Sequence, residues 1–129
     1  MAKKIIHSDL DLNFLIHPVR KDISKKVNED AIKTSLKNLV RTKYYDRLFD
    51  PNKGCGIHNL LFENMIPATT IAIEKSIEDV IYNYEPRVEL LEVQVAPNPS
   101  RNLYDITIFF AIINQPDEFE LNLQLERIR

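Results

Sequence analysis

The sequence predicts an α+β fold in which two main helices pack on one face of a small antiparallel β-meander, preceded by an N-terminal arm. Two observations carry that prediction. Apolar residues recur at helical spacing from Asn28 to Tyr84 and switch to a period of two after Arg87. The alternating part then breaks into three runs joined by short turn-forming segments, which is the pattern of consecutive antiparallel strands with one apolar face. At 129 residues the chain has the length of one domain, read here as 1-129 with an arm at 1-27, a helical part at 28-84 and strands at 87-129.

The arm mixes Asp, Asn and Pro with isolated apolar side chains, and Asp11 to Pro18 is its one strand-like piece. From Asn28 the pattern becomes helical. Ile32, Leu36, Leu39 and Val40 share a stripe, Lys33, Lys37 and Arg41 point away from it, and Asn28 or Asp30 is placed to cap the first free amides, with the end near Thr42. Pro51 and both glycines, Gly54 and Gly56, fall in the following loop, which therefore holds a tight turn. Ile57 to Asn64 reads as a short helix. Pro67 then opens a longer one at the position where a missing amide costs nothing. Its apolar stripe is Ile73, Ile77, Val80, Ile81 and Tyr84, its wet face Glu74, Lys75, Glu78 and Asp79. Pro86 forbids continuation beyond about Tyr84, because the residue before a proline avoids the helical region.

Beyond Arg87, Leu91, Val93 and Val95 alternate with Glu92 and Gln94, and Pro97-Asn98-Pro99-Ser100 marks a turn. Ile106, Ile108, Phe110 and Ile112 share a face of the second strand, which ends at Asn114-Gln115-Pro116-Asp117. The last run sets Phe119, Leu121, Leu123 and Leu125 against Glu120, Asn122, Gln124 and Glu126.

Composition narrows the function. Seventeen basic against nineteen acidic residues give a net charge of −2, the wrong balance for a protein that mainly neutralises phosphate or an anionic membrane surface. Tyr44-Tyr45 beside Lys43 and Arg47 could stack bases, but Asp46 and Asp50 dilute its charge, so nucleic acid is not expected as a partner. The longest apolar run, Ile106 to Ile113, is far shorter than the roughly 18 residues of a membrane span, and the opening residues through His7-Ser8-Asp9 lack the apolar stretch of a signal peptide. One Cys and three scattered His, at 7, 17 and 58, make neither a disulfide framework nor a zinc site, so no metal and no cofactor is expected.

Candidate chemistry is sparse. Cys55 lies between two glycines with His58 three residues on, a spacing that could activate a thiol, although lone cysteines are usually buried and inert. Asp46, Asp50, Glu63 and Glu85 could supply the two carboxylates of a glycosidase, but the chain has no Trp to stack on a sugar ring. Glu85-Pro86-Arg87 is sharper: it sets opposite charges on either side of a rigid break between helix and sheet. It is either a helix stop with a cation near the carbonyl end, or a charged fork offered to a partner. The last strand, at the end of a meander, can leave one edge open to another chain's strand unless Glu120 and Glu126 blunt it.

Asp50-Pro51, Gly54-Cys55, Leu60 to Glu63 with Asn64-Met65, then Pro67, Asn83-Tyr84-Glu85-Pro86-Arg87 and an antiparallel tail together resemble the baseplate wedge family of contractile-tailed, T4-like phages. The family is also known as the sheath initiator, and its relatives include the TssE component of type VI secretion. The resemblance runs from about residue 7 to residue 126, with the Glu-Pro-Arg triplet as its most specific mark. It implies a structural, non-enzymatic protein of the virion's tail baseplate, assembled in the host cytoplasm, present in six-fold copies near the tail tube, with other wedge proteins and tail sheath subunits as partners. Carried over, Glu85, Pro86 and Arg87 would dock on the wedge's helical core bundle. Phe119, Glu120, Leu121, Asn122, Leu123, Gln124, Leu125 and Glu126 would exchange strands with the first sheath ring and start its polymerisation. Tyr44-Tyr45-Asp46 and Lys53 depart from the family, which often has a glycine and an aromatic at these places. Family members have also been labelled lysozymes; the alternative is therefore a peptidoglycan hydrolase with Glu63 or Glu85 as acid and Asp46 or Asp50 as partner.

Overall fold

The computed structural model describes residues 6–128; the opening segment through Ile5, part of the reading against a signal peptide, and Arg129 lie outside them. The backbone divides into two compact units, Met1–Ser35 and Leu36–Arg129.

In the smaller unit, β1 (Ser8–Leu10) pairs antiparallel with β2 (Lys25–Val27), Ser8 opposite Val27 and Leu10 opposite Lys25. The strand expected at Asp11 to Pro18 is instead irregular, with a turn at Leu12 and Asn13 and a single bridge from Ile16 to Ile23. Asp11 is the cause. Its buried carboxylate accepts from the Asn13 amide at 3.0 Å, its carbonyl accepts from the Phe14 amide at 3.0 Å, and Phe14 takes a left-handed φ of 52°. Local Asp turn chemistry thus outweighs the apolar run that suggested extension.

The first helix, α1 (Glu29–Arg41), contributes to both units. Glu29 and Asp30 in its first turn and Arg41 in its last match the helix dipole. The expected stripe of Ile32, Leu36, Leu39 and Val40 is buried. Asn28, just before it, has a φ of 51° and its side-chain oxygen accepts from the Ile6 amide at 2.9 Å.

In the larger unit, the loop after α1 closes on itself where Cys55 N–H donates to the Thr42 carbonyl at 2.8 Å. Gly54 permits that approach: a Cβ there would stand 2.6 Å from the Lys43 carbonyl carbon and oxygen. A single turn, α2 (Ile57–Leu60), leads to α3 (Pro67–Tyr84), whose first residue is the proline the sequence placed there. Helix α3 buries Thr69, Ile73, Ile77, Val80 and Ile81 and packs along β3. Tyr84, expected in that stripe, lies at its margin and donates its hydroxyl to the Asn52 carbonyl at 3.0 Å.

The sheet is a meander in the order β3-β4-β5, formed by β3 (Val88–Asn98), β4 (Leu103–Ile112) and β5 (Glu118–Glu126). Its inner face is the core, with Val93, Val95, Tyr104, Ile106, Ile108, Phe110, Ile112, Leu123 and Leu125 buried. The α+β class and the three-strand meander read from the sequence are those of the structure. One register detail differs. Leu91, expected on the inner face with Val93 and Val95, is skipped by a bulge between Leu90 and Glu92 and is exposed, while Leu90 takes the inner place opposite Phe110. Pro97 sits in β3 without cost because β3 is an edge strand.

Candidate docking site

The sharpest sequence feature lies where α3 gives way to β3. Helix α3 ends at Tyr84; Glu85 donates its amide to the Ile81 carbonyl at 3.0 Å and leaves the helix with φ −126° and ψ 77°, outside the helical region that a following proline disfavours. Pro86 then turns the chain, Val88 N–H reaches back to the Glu85 carbonyl at 3.4 Å, and the Arg87 carbonyl accepts from the Ile113 amide at 3.1 Å, which ties the junction to the residue just after β4. The two charges meet across the break. Arg87 donates Nε to Glu85 Oε1 at 2.6 Å and Nη2 to Oε2 at 2.9 Å, a two-pronged pair with Glu85 4% and Arg87 32% exposed at the side chain. The fork therefore closes within the chain, and Pro86 stands exposed between its ends.

The other predicted element, Phe119–Glu126, falls in β5, an edge of the three-stranded sheet. Leu123 and Leu125 are buried, Phe119 and Leu121 half-buried, and Phe119 stacks obliquely on Phe110 with ring centres 5.8 Å apart. Glu120, Asn122, Gln124 and Glu126 face out. Asn122 and Gln124 hold β5 to its neighbour through Thr107 Oγ1 to Asn122 Oδ1 at 2.9 Å and Gln124 Nε2 to Asp105 Oδ1 at 2.8 Å. The structure thus puts the triplet and β5 at different strands of one sheet, with β4 between them.

One anchoring residue was not singled out from the sequence. Arg127 donates Nε to the Glu63 carbonyl at 2.8 Å and Nη2 to Asn64 Oδ1 at 3.0 Å, while its amide donates to the Asn102 carbonyl at 2.9 Å. Together with Ile128 N–H to the Leu61 carbonyl at 3.0 Å, it pins the end of β5 to the turn before α3. A lone cation at a strand end offers no pattern that sequence alone could rank.

The residues considered for catalysis are engaged elsewhere or dispersed. Cys55 is 1% exposed, its thiol points to the Ser76 carbonyl at 3.7 Å, and burial pushes its pKa up to about 11, the opposite of an activated nucleophile. His58 Nε2 sits 3.1 Å from the Arg41 carbonyl. Asp46 Oδ2 accepts from the Lys43 amide at 2.9 Å, and both oxygens of Glu85 are taken by Arg87. Asp50 and Glu63 are exposed. Among the described residues no group of three His, Cys, Asp or Glu side chains could hold a metal ion, and no helix is long and apolar enough to cross a membrane.

Comparison with known proteins places this geometry. A family profile described as baseplate wedge protein gp25 matches residues 26–117. The chain is 37% identical to the baseplate wedge protein gp25 of Enterobacteria phage T4 over 121 residues, 93% of this chain and 91% of that protein. Its fold is similar to a crystal structure from Geobacter sulfurreducens described as a candidate tail lysozyme, with a TM-score of 0.73 and 26% identity over 78% of this chain and 92% of that one. A chain of the anti-feeding prophage baseplate, solved by six-fold symmetrised cryo-electron microscopy, gives 0.73 at 25% identity over 86% of this chain and 89% of that one. A chain of the type VI secretion system baseplate complex shares the fold alone, with a TM-score of 0.61 at 17% identity over 71% and 87%.

Proposed function

Because this chain belongs to the gp25 baseplate wedge family, a structural component of the baseplate wedge of a contractile phage tail, we propose that it docks on the wedge core through Glu85-Pro86-Arg87 and initiates sheath polymerisation through β5. The observation that carries the second half is the edge position of β5: a strand with a buried inner face, held by β4 on one side, can take an incoming strand on the other. The rigid Glu85–Arg87 pair, on the far side of β4, supports a division of labour in which one end of the sheet is anchored and the other grows. In this reading six copies surround the tail tube, are assembled in the host cytoplasm and meet other wedge proteins and the first sheath ring. The protein acts by assembly, without cofactor or metal.

In the hydrolase reading, which the name of the Geobacter relative suggests, the closure of Glu85 on Arg87 removes one of the two candidate acids and leaves the exposed Glu63. The deciding experiment is electron microscopy of particles made by the parent phage with this gene removed. Loss of sheathed tails, restored by the wild-type gene and not by Arg87→Ala, is expected. Normal contractile tails that fail only at host entry would overturn the assembly role.

A further inference from the structure

A groove of about 420 Å³ opens beside the Glu85–Arg87 pair, between the last turn of α3, the start of β3 and the residue after β4. The buried Ile81 reaches it from below, and Tyr82, Pro86, Leu90 and Ile113 wall it. Tyr82 is 87% and Ile113 49% exposed, so large apolar surface is left in water beside a junction whose Glu85, Val88 and Ile113 amides are all hydrogen-bonded. The charge around it is negative. Glu89 lines the groove and is exposed, and the exposed Glu78 and Asp79 precede Tyr82 by four and three residues, which puts them on its face of the helix. The cation at this junction, Arg87, is already closed on Glu85.

We propose that this groove receives an apolar side chain carried on a basic segment of a neighbouring wedge protein, with Tyr82 as the central anchor and Glu78, Asp79 and Glu89 as the charged rim. The proposal rests on reading Glu85-Pro86-Arg87 as the docking element and extends that element to a pocket with stated chemistry. Aromatic anchors in a concave apolar patch dominate binding, whereas rim charges set partner choice and the rate of encounter. The acidic rim selects the partner: a segment bearing Lys or Arg beside its apolar residue is attracted, an acidic one is repelled.

The test uses the full chain and the parent phage's remaining wedge proteins, purified as a complex and immobilised, with binding followed at low and high salt. Tyr82→Ser, at an exposed position, leaves the fold intact and should weaken binding roughly tenfold or more. The double variant Glu78→Lys with Asp79→Lys should slow association and remove the loss of affinity that added salt causes in the wild type. Wild-type binding by Tyr82→Ser alongside failure of Arg87→Ala would overturn the groove and leave the docking triplet standing. Wild-type binding by both would overturn both, as would absence of wild-type binding. Self-association of the isolated chain that Tyr82→Ser abolishes would give the groove to a second copy and overturn the proposal.

Discussion

Glu85 and Arg87, two residues apart across Pro86, bind each other through both carboxylate oxygens and two guanidinium nitrogens. The pairing is possible because the helix ends at Tyr84 and the non-helical backbone of Glu85 lets its side chain meet that of Arg87 at the start of β3. Within the proposed docking role, Glu85 is a positioning residue: its buried carboxylate orients the guanidinium, and Arg87 is the group nearer the surface.

On that proposal, removal of Glu85 should cost assembly as well as stability. Glu85→Ala should destabilise the chain by about 2 kcal/mol, less than the roughly 3 to 5 typical of a fully buried pair because Arg87 keeps a third of its side chain in water. Arg87→Ala strands the more buried partner and should cost at least as much. Arg87→Lys retains the charge without the fork and should fall between the wild type and Arg87→Ala. Urea midpoints at neutral pH measure the order; equal midpoints for all variants would refute it.

The loop before α2 makes a second test. A Cβ on Gly54 would lie 2.6 Å from two backbone atoms of Lys43, which cannot step aside as a flexible side chain can. On Gly56 it would meet the Tyr44 ring at 3.4 Å. Gly54→Ala should lose about 1 to 3 kcal/mol, in the range of overpacking, while Gly56→Ala shifts the thermal midpoint little. A reversed order would mean that the close approach at Lys43 is not what Gly54 is for.

The buried thiol predicts an alkaline limit. With its pKa raised in the folded state from 9.0 to about 11, Cys55 contributes stability that is fully present below about pH 9 and is lost as pH rises towards 11, because the unfolded chain ionises first. Burial also raises the pKa of Tyr104, whose hydroxyl has no hydrogen-bond partner among the described residues, and it acts in the same direction. Denaturant midpoints at pH 8 and pH 10.5 should differ less in Cys55→Ala than in the wild type. Thiol labelling of the native chain at pH 8 should proceed only through unfolding.

Most of the fold was legible because it rests on periodicity. The stripe Ile32, Leu36, Leu39 and Val40, the Pro67 start, the Pro86 stop and the alternation of β4 and β5 all translate directly into buried faces. Periodicity fails where one local interaction outweighs it. Asp11 turns the arm through its own carboxylate, and the adjacent Leu90 and Leu91 are resolved by a bulge that places one inside and one outside. The doubled leucine breaking the alternation was the available signal. The triplet was visible as a motif, but its closure on itself depends on the Glu85 backbone angles, and the groove beside it depends on Ile113, a residue 26 positions after Arg87. Tyr82 was nevertheless a clue, an aromatic on the face shared by Glu78 and Asp79.

The edge role of β5 yields the last prediction, and the buried Cys55 makes it practical. Since the native thiol is 1% exposed, a cysteine introduced at an outward position of β5 is the one that reagents will reach. Glu120 faces out, opposite Phe109 on β4, in the stretch of β5 remote from the Arg127 clasp, so Glu120→Cys leaves the core and the clasp intact. If sheath adds a strand here, incoming and resident backbones run about 4.8 Å apart, within reach of a short bifunctional maleimide joined to a cysteine on the sheath subunit's added strand. A crosslinked band is expected only in particles with assembled sheath. A control cysteine at Gln94 on β3, the opposite edge of the sheet, should give none. Crosslinking from Gln94→Cys and not from Glu120→Cys would transfer the growing edge to β3 and place sheath beside the Glu85–Arg87 junction.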